Sequence, residues 1–424
     1  DTVYGNMIQA QQPLNHHNLR MTYSYTYDTV IRTHPVCITN SHGESMHTAY
    51  NYFYGKPLAV KDPSGSTISY VYDYLGRVID VFSPLNHGTI PSVRNFYYPT
   101  RHQNYDIRYR KQNQTLSNDS YQAYTVVQMN KPHPYSITEH FDDAGHLITR
   151  TVVITDGFGR VLQTKKGLTS EGVPSMQVSG RTKMDHLGRT THQYDPFVVP
   201  DTTLASLGTF ENYVASTPTI TTYDVLDRTT GIYQPLGVTT LTAYDIYSDH
   251  SGRRRFVTTT TDPNGNVSSQ YSDYDGRQVQ VTDANGGITR MVYDNLGQLV
   301  KTLDPEDFVT SYEYDGLGRL ISRDHPDAGI TGYQYDPSGN VTKETNVLGE
   351  ITYDYDYNRP SQKHYSFMSG NDVTYTYGTS GTGIGRIQHI KDGSGRYVCH
   401  YDALGNVIEE VRSIALPYRG DVLH

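Results

Sequence analysis

The sequence predicts an all-β protein built from tandem β-hairpins. Three observations support this fold class: a turn motif that recurs about every 21 residues, strict alternation of residue types between turns, and an unusual composition. The 424 residues include 39 Tyr, 37 Gly and 20 Pro but no Trp, and only 36% of them are hydrophobic. Tyrosine favours strands, whereas glycine and proline mark turns. A thin sheet with wet faces needs fewer aliphatic residues than a thick core does.

The recurring motif reads Tyr-Asp-x-x-Gly-Arg or a close variant. Its aspartates Asp273, Asp294, Asp315, Asp336 and Asp356 follow one another at steps of 21, 21, 21 and 20 residues. Aspartate at the first turn position can accept a hydrogen bond from a backbone N–H two residues later, and glycine can adopt positive φ without steric cost. The residues predicted to build these turns are Tyr72, Asp73, Gly76, Arg77, Asp273, Gly276, Tyr293, Asp294, Gly297, Tyr314, Asp315, Gly318, Arg319, Tyr335, Asp336, Gly339, Tyr401, Asp402 and Gly405.

A second turn precedes each Tyr-Asp turn by about half a period. Asp62 starts the sequence Asp-Pro-Ser-Gly 11 residues before Asp73, and Asp262 starts a similar turn 11 residues before Asp273. Turns at this spacing leave strands of about six residues, which is the usual strand length. Segment 308–314 alternates Phe, Thr and Tyr with Val, Ser and Glu, the period of a strand. No amphipathic helix is predicted.

The repeats are expected to form a single array over residues 1–424. Segments of about 82–140 and 165–222 break the rhythm with prolines, and we interpret them as longer hairpins or insertions within the sheet. The tyrosine before each turn aspartate ends a strand, where its ring can stack on the matching tyrosine of the next hairpin. Cross-strand aromatic pairs contribute about 0.2–1 kcal/mol each, so the repeats predict a tyrosine ladder.

The motif, its period and the paired Asp-Pro-x-Gly turn together resemble the Rhs/YD-repeat family of bacterial polymorphic toxins, insecticidal toxin-complex components and animal teneurins. The resemblance is carried by copies such as YDYLGR at 72–77 and YDGLGR at 314–319, and it is clearest over about 60–80 and 255–410. It implies a long sheet that spirals into a hollow shell, which in bacterial members encloses a C-terminal toxin domain. The family's autoproteolytic core signature and a toxin domain are not recognised, so no protease or toxin residues are assigned.

The composition argues against several other classes of function. A net charge of −9 lacks the basic stripe of a nucleic-acid surface. No stretch approaches the ~18 apolar residues of a membrane span. Every repeat carries its aspartate in the same role, whereas a glycosidase needs one special carboxylate pair. The chain is therefore expected not to be an enzyme and to use no cofactor. It begins at Asp1, and we expect it to be a fragment or a processed product.

Two candidate metal sites and one candidate phosphate loop compete with ordinary turns. His34, Cys37, His42 and His47, near His16 and His17, have spacings that a metal could use, but chance clusters are common among 18 histidines. Residues 262–266 faintly resemble an oxygen-rich calcium loop without its terminal glutamate. The glycine-rich segment 381–385 leads into another strand pattern and not into the helix of a dinucleotide site. We therefore predict loop histidines, turns and no metal.

The first functional hypothesis is a structural segment of a large secreted or cell-surface protein. Its partners would be the remainder of the parent shell and an enclosed toxin domain. The alternative is a teneurin-like adhesion module whose exposed tyrosines bind a cell-surface glycan or receptor, and an enzyme on a β-scaffold comes third. Sheet edges exposed by an isolated segment tend to pair with other chains, which predicts self-association unless the irregular segments mask them.

Overall fold

The predicted all-β class is confirmed. A computed structural model describes residues 4–86, 90–98, 105–110, 121–126, 133–170, 173–200, 208–211, 217–415 and 422–423. Within these ranges the chain forms 36 β-strands and three short 3₁₀ turns (Pro84–Asn86, Pro235–Gly237 and Gly381–Gly383), and it has no α-helix. None of the described residues forms a helix long and apolar enough to cross a membrane.

The strands form two long antiparallel sheets and one separate hairpin. The first sheet contains β1 (Gln9–Leu14), β2 (Arg20–Tyr27), β3 (Pro35–Thr39), β4 (Ser45–Asn51), β5 (Lys56–Lys61), β6 (Thr67–Tyr72), β7 (Val78–Phe82), β8 (Val93–Tyr98), β11 (Tyr135–Phe141), β12 (Leu147–Thr155), β13 (Val161–Ser170), β14 (Val173–Ser179) and β17 (Phe197–Pro200). The separate hairpin contains β9 (Tyr105–Arg110) and β10 (Tyr121–Val126).

The second sheet has 21 strands. These are β15 (Thr182–Met184), β16 (Thr190–Gln193), β18 (Thr219–Tyr223), β19 (Thr229–Tyr233), β20 (Thr239–Ser248), β21 (Arg254–Thr261), β22 (Val267–Ser272), β23 (Gln278–Thr282), β24 (Ile288–Tyr293), β25 (Leu299–Leu303), β26 (Val309–Tyr314), β27 (Leu320–His325), β28 (Gly329–Tyr335), β29 (Val341–Asn346), β30 (Gly349–Asp356), β31 (Arg359–Tyr365), β32 (Val373–Tyr377), β33 (Ile387–Asp392), β34 (Gly395–Tyr401), β35 (Val407–Ala415) and β36 (Val422–Leu423).

Consecutive strands pair with each other, so each sheet is a meander whose turns lie along two opposite edges. The register shifts by one residue where a strand enters a Tyr-Asp turn, as at Tyr293, Tyr314 and Tyr335. The ladders at the opposite turns, such as β25 with β26 and β27 with β28, have no such shift. The β1–β2 ladder is an exception on that edge, with a shift between Gln11 and Leu14. Because a bulge bends its strand and increases the local twist, bulges that lie mostly on one edge are expected to curve the ribbon.

The ladder changes sheets between residues 180 and 200. β14 pairs with β17 and not with β15, so the first sheet ends at β17 while β15 begins the second. Hairpin β9–β10 lies within the irregular segment 82–140, and β8 pairs directly with β11 across it. A single array over residues 1–424 and self-association through the sheet edges both stay predictions.

A conventional core exists beside this change of sheet. Ile137, Val152, Ile154 and Met176 are buried together, and partly buried hydrophobic residues of segments 96–98, 197–200 and 208–211 pack against them. Gln163 is fully buried and exchanges two hydrogen bonds of 3.0 Å with the backbone of Glu211. Elsewhere in the described ranges most strand residues are only half-buried, as a thin sheet requires.

Candidate functional site

The Tyr-Asp turn is held by a carboxylate that accepts several hydrogen bonds at once. Asp73 Oδ1 accepts from the backbone N–H of Leu75 at 2.9 Å and of Arg77 at 2.8 Å. Its Oδ2 pairs with the guanidinium of Arg77 at 2.6 Å, and the Asp73 side chain is 1% exposed. Gly76 has φ of 74°, which closes the turn as predicted from its residue type. The aspartate therefore satisfies backbone donors and fixes the arginine together.

The same arrangement recurs along the chain. The arginine four residues after the aspartate donates to its Oδ2 at Asp273 and Asp315, and asparagine Nδ2 does so at Asp336 and Asp402. The predicted turn glycines all have positive φ: Gly276, Gly297, Gly318, Gly339 and Gly405. Backbone N–H groups and the arginine hold the pKa of Asp315 below its ordinary value. These carboxylates are therefore engaged in turn structure.

The motif tyrosine bonds to the preceding repeat. Tyr293 donates its hydroxyl to Gln278 O at 2.9 Å, Tyr314 to Leu299 O at 3.0 Å, and Tyr335 to Leu320 O at 2.7 Å. Each acceptor directly follows the last motif residue of the repeat before. Tyr72 and Tyr401 donate in the same way, to Pro57 O and Ile387 O. Burial raises the pKa of Tyr335, so its hydroxyl remains a donor.

The arginine of one repeat also lies over the tyrosine ring of the next. The guanidinium carbon of Arg277 is 5.3 Å from the ring centroid of Tyr293, and that of Arg319 is 4.7 Å from Tyr335. The predicted tyrosine ladder is wrong at these described repeats, because the rings of Tyr293, Tyr314 and Tyr335 do not contact one another and an arginine packs on Tyr293 and on Tyr335 instead. The repeats are instead joined by an Asp–Arg–Tyr chain of an ion pair and a cation–π contact.

We expect Tyr335→Phe to lower the free energy of unfolding by about 0.5–1.5 kcal/mol, because it leaves Leu320 O without its donor but keeps the ring under Arg319. Tyr335→Ala should cost more because it also removes the cation–π contact. Urea denaturation followed by circular dichroism measures both. Tyr274→Phe, at a residue that is 74% exposed, is the control. Equal effects of Tyr335→Phe and Tyr274→Phe contradict the assignment.

Residues from the two ends of the sequence meet in a second group of contacts. Asn15 Nδ2 donates to Tyr357 O at 2.9 Å, and Ser338 Oγ donates to Pro13 O at 2.6 Å. The turn between β1 and β2 therefore packs against the β28–β29 turn and β30. These residues are separated by more than 300 positions, so the ribbon has wound once around and met itself.

An ion pair extends this contact. Arg359 Nη2 lies 2.6 Å from Glu44 Oε2, and the two side chains are 21% and 12% exposed. Burial opposes ionisation of Glu44, but hydrogen bonds from Arg359 and Asn40 outweigh it and lower its pKa. We call Pro13, Asn15, Glu44, Ser338, Tyr357 and Arg359 the winding seam. In the seam, turns on one edge of the ribbon meet Tyr-Asp turns and strand ends on the other edge.

Apolar side chains project from the third position of the Tyr-Asp turns. One of them, Leu404, contributes to a contact between windings. It lines a cavity together with residues of the turns at 83–93 and 140–148 on the other winding. The corresponding leucines of other turns are 58% to 83% exposed. These edge leucines are Leu75, Leu187, Leu226, Leu296 and Leu317.

Comparison with known proteins assigns the repeat. The family model described as RHS Repeat matches residues 271–307 and 293–331. Residues 271–331 of the chain are RHS repeats. No curated protein matches its sequence.

The RHS-repeat chain also shares its fold with solved toxin-complex structures. The crystal structure of TcdB2-TccC3-Cdc42 aligns with a TM-score of 0.70 at 16% identity, covering 94% of this chain and 25% of that one. The Photorhabdus luminescens Tc holotoxin pore with the TccC3 mutation D651A aligns with a TM-score of 0.69 at 14% identity, covering 94% of this chain and 24% of that one. The RHS-repeat chain thus spans about a quarter of the chains it matches, and the likeness establishes the fold.

Among the described residues the candidates His34, Cys37, His42 and His47 form no common ligand group, although Cys37 and His47 are partners in the β3–β4 ladder. His42 Nδ1 lies 3.6 Å from Asp356, whereas His34 packs edge-on against Tyr50. Asp262 accepts hydrogen bonds from its own turn, including Asn266 Nδ2, as the other repeat aspartates do. Segment 381–385 forms a short 3₁₀ turn between β32 and β33, as its sequence pattern indicated.

The partners of the RHS motif arginine and tyrosine were missed from the sequence. The constant Asp-x-x-x-Arg spacing could have signalled the ion pair. Where asparagine replaces the arginine, it still offers an N–H donor to the aspartate. The hydroxyl–carbonyl bond spans 15 residues at several repeats, an offset that only a paired register can bring together. No motif or spacing in the sequence signalled the contacts of the winding seam, because the partners lie more than 300 positions apart.

Proposed function

We propose that this RHS-repeat chain is a wall segment of a larger protein shell and acts by containment. The observation that carries the proposal is the winding seam, where Asn15 and Glu44 contact Tyr357 and Arg359. A ribbon that bonds to itself edge to edge closes the gap between successive turns of the spiral. A wall needs only a thin sheet, so partly exposed strands and a small core are expected for this function.

We further propose that the parent protein is secreted or displayed at the cell surface and that its shell encloses a toxin domain. The similarity to structures named as Tc toxin complexes supports this assignment. A non-enzymatic role is supported by the repeat aspartates, whose oxygens are engaged by backbone N–H groups and by arginine or asparagine. No special carboxylate pair stands out from the repeat pattern among the described residues.

Containment is tested by native proteolysis of the full-length gene product. Any segment outside residues 1–424 that the shell encloses should resist proteinase K at neutral pH while the wall is intact. The double variant Glu44→Ala/Arg359→Ala should expose that segment to digestion, whereas Arg323→Ala, within β27 and away from the seam, should not. Digestion of every outside segment at the same rate in wild type and variants contradicts containment.

The seam is expected to weaken in acid. Because the folded-state pKa of Glu44 is lowered, its stabilisation is complete above the ordinary glutamate pKa and is lost as the pH falls through the lowered value. At pH 7 we expect Glu44→Gln to cost about 1–3 kcal/mol, and the difference from wild type should shrink on acidification. Urea midpoints across the pH range measure this, with the exposed Glu306→Gln as control. A pH-independent difference contradicts the ion pair.

The second candidate function is recognition of a glycan or receptor by turn tips. It is favoured by exposed aromatic side chains at turns, notably Phe53 at 86%, Phe158 at 89% and Tyr274 at 74% exposure. Aromatic rings stack on sugars. Sub-millimolar binding on a glycan array that is lost in Tyr274→Ala supports this function, and binding unaffected by turn-tip substitutions contradicts it.

A further inference from the structure

Three metal-ligand side chains converge where the two windings meet. His16 and His17 lie in the turn between β1 and β2, and Asp354 lies in β30. The Nε2 atoms of both histidines are 3.1 Å from the same oxygen, Asp354 Oδ1. All three ligand atoms lie within 4.8 Å of one another, and no other such group occurs in the part of the chain that the structure describes.

The distances from the two histidines to Asp354 suit a transition-metal site. Zinc binds imidazole nitrogen and carboxylate oxygen at about 2.0–2.2 Å, so neighbouring ligands of a tetrahedral ion stand about 3.3 Å apart. The two distances of 3.1 Å to Asp354 are close to that value. The same two distances allow both imidazoles to donate hydrogen bonds to Asp354 Oδ1 without a metal, whereas one cation between the three groups would be bound by all of them.

A buried carboxylate stands behind the first histidine. The Nδ1 atom of His16 is buried without a hydrogen-bond partner, and it lies 3.7 Å from Oδ2 of Asp336, whose side chain is 0% exposed. Metal-bound histidines commonly direct their other ring N–H at a carboxylate, which fixes the ring and its tautomer. A metal at Nε2 of His16 places the proton on Nδ1, facing Asp336.

We propose that His16, His17 and Asp354 bind one divalent transition-metal ion, with zinc as the preferred ion. The fourth position faces solvent, because His17 and Asp354 are each 49% exposed, and a water molecule would complete the tetrahedron. The ion links His16 to Asp354, which are 338 positions apart, and therefore cross-links one winding of the ribbon to the next. This site depends on the seam geometry and not on what a shell would enclose.

The test is zinc titration of the EDTA-stripped chain by isothermal calorimetry. Wild type should bind one equivalent, and His17→Ala and the isosteric Asp354→Asn should each bind it ~10–100-fold more weakly or worse. His364→Ala is the matched control, because His364 also pairs with an aspartate, Asp372 at 2.7 Å, but outside the cluster. Circular dichroism verifies the fold of each variant.

Two further measurements report the coordination geometry of the bound ion and the location of its site in the chain. Cobalt in place of zinc should give the intense visible absorption of a four-coordinate ion in wild type and in His364→Ala. Amide exchange in segments 15–19 and 353–357 should slow on adding zinc. The proposal is overturned if wild type has no saturable zinc site, or if His17→Ala and Asp354→Asn bind zinc with the stoichiometry and affinity of wild type.

Discussion

Replacing Asp73 by alanine is expected to lower the free energy of unfolding by about 3 kcal/mol, the sum for two backbone hydrogen bonds to a buried carboxylate. The Asp73 carboxylate is the acceptor for the N–H groups of Leu75 and Arg77 and for the Arg77 guanidinium. Alanine leaves the two backbone donors without an acceptor at a buried position, whereas the Arg77 guanidinium, whose side chain is 37% exposed, can bond to water. Arg77, which lies 4.4 Å from the ring centroid of Tyr97, also loses the anchor that places it there.

Asp142→Ala is the matched control for this substitution. Its carboxylate makes the same two bonds, to the backbone N–H groups of Ala144 and His146, but its side chain is 41% exposed. Water can replace the lost acceptor there, so a smaller shift of the urea midpoint is expected. Asp73→Asn separates charge from hydrogen bonding, because it keeps one acceptor oxygen. An equal loss of stability in Asp73→Ala and Asp142→Ala contradicts the role given to burial.

Ile154→Ala is expected to cost about 2–5 kcal/mol, the range for emptying a fully buried aliphatic site. Ile154 is 0% exposed and belongs to the core cluster with Ile137, Val152 and Met176. A thin ribbon offers little other apolar material to collapse into the cavity. Since stability in repeat arrays is local, amide exchange in β11–β14 should accelerate more than exchange in β24–β27.

Ile408→Ala removes the same atoms from a side chain that is 66% exposed in β35. It should change the unfolding free energy by no more than about 0.5 kcal/mol. The chain contains no tryptophan, so tyrosine fluorescence and near-ultraviolet circular dichroism follow the transition. A uniform acceleration of exchange over both sheets in Ile154→Ala argues against a local core.

The sequence was sufficient for the features that depend on neighbours in the chain. The turn role of Asp315 and the positive φ of Gly318 follow from side-chain chemistry and the absence of Cβ, and period-2 alternation identified the strands. The position corresponding to Gly is occupied by Asp227 in one turn, and its φ of 63° shows that the backbone geometry is kept despite the residue change.

Features that depend on register or winding could not be predicted in this way. The contact of Arg319 with Tyr335 depends on how neighbouring hairpins pair. The change of sheet near residue 180 depends on the pairing of β14 with β17 in place of β15. The convergence of His16 with Asp354 requires the curvature of the whole ribbon to be known. The histidine spacing grouped His34, Cys37, His42 and His47 near His16 and His17, and no spacing in the sequence linked any of them to Asp354.

The winding seam limits how the number of strands in this chain can change during evolution. Asn15 meets Tyr357 only because a fixed number of strands lies between them, so the circumference is measured in whole hairpins. Losing one 21-residue unit from the regular region would carry every later turn past its partner, and all seam contacts would be mismatched together. Length changes in a loop between paired strands, such as residues 366–372 between β31 and β32, leave the number of strands unchanged. Such loops are therefore where insertions can accumulate, while the number of repeats per winding is held constant.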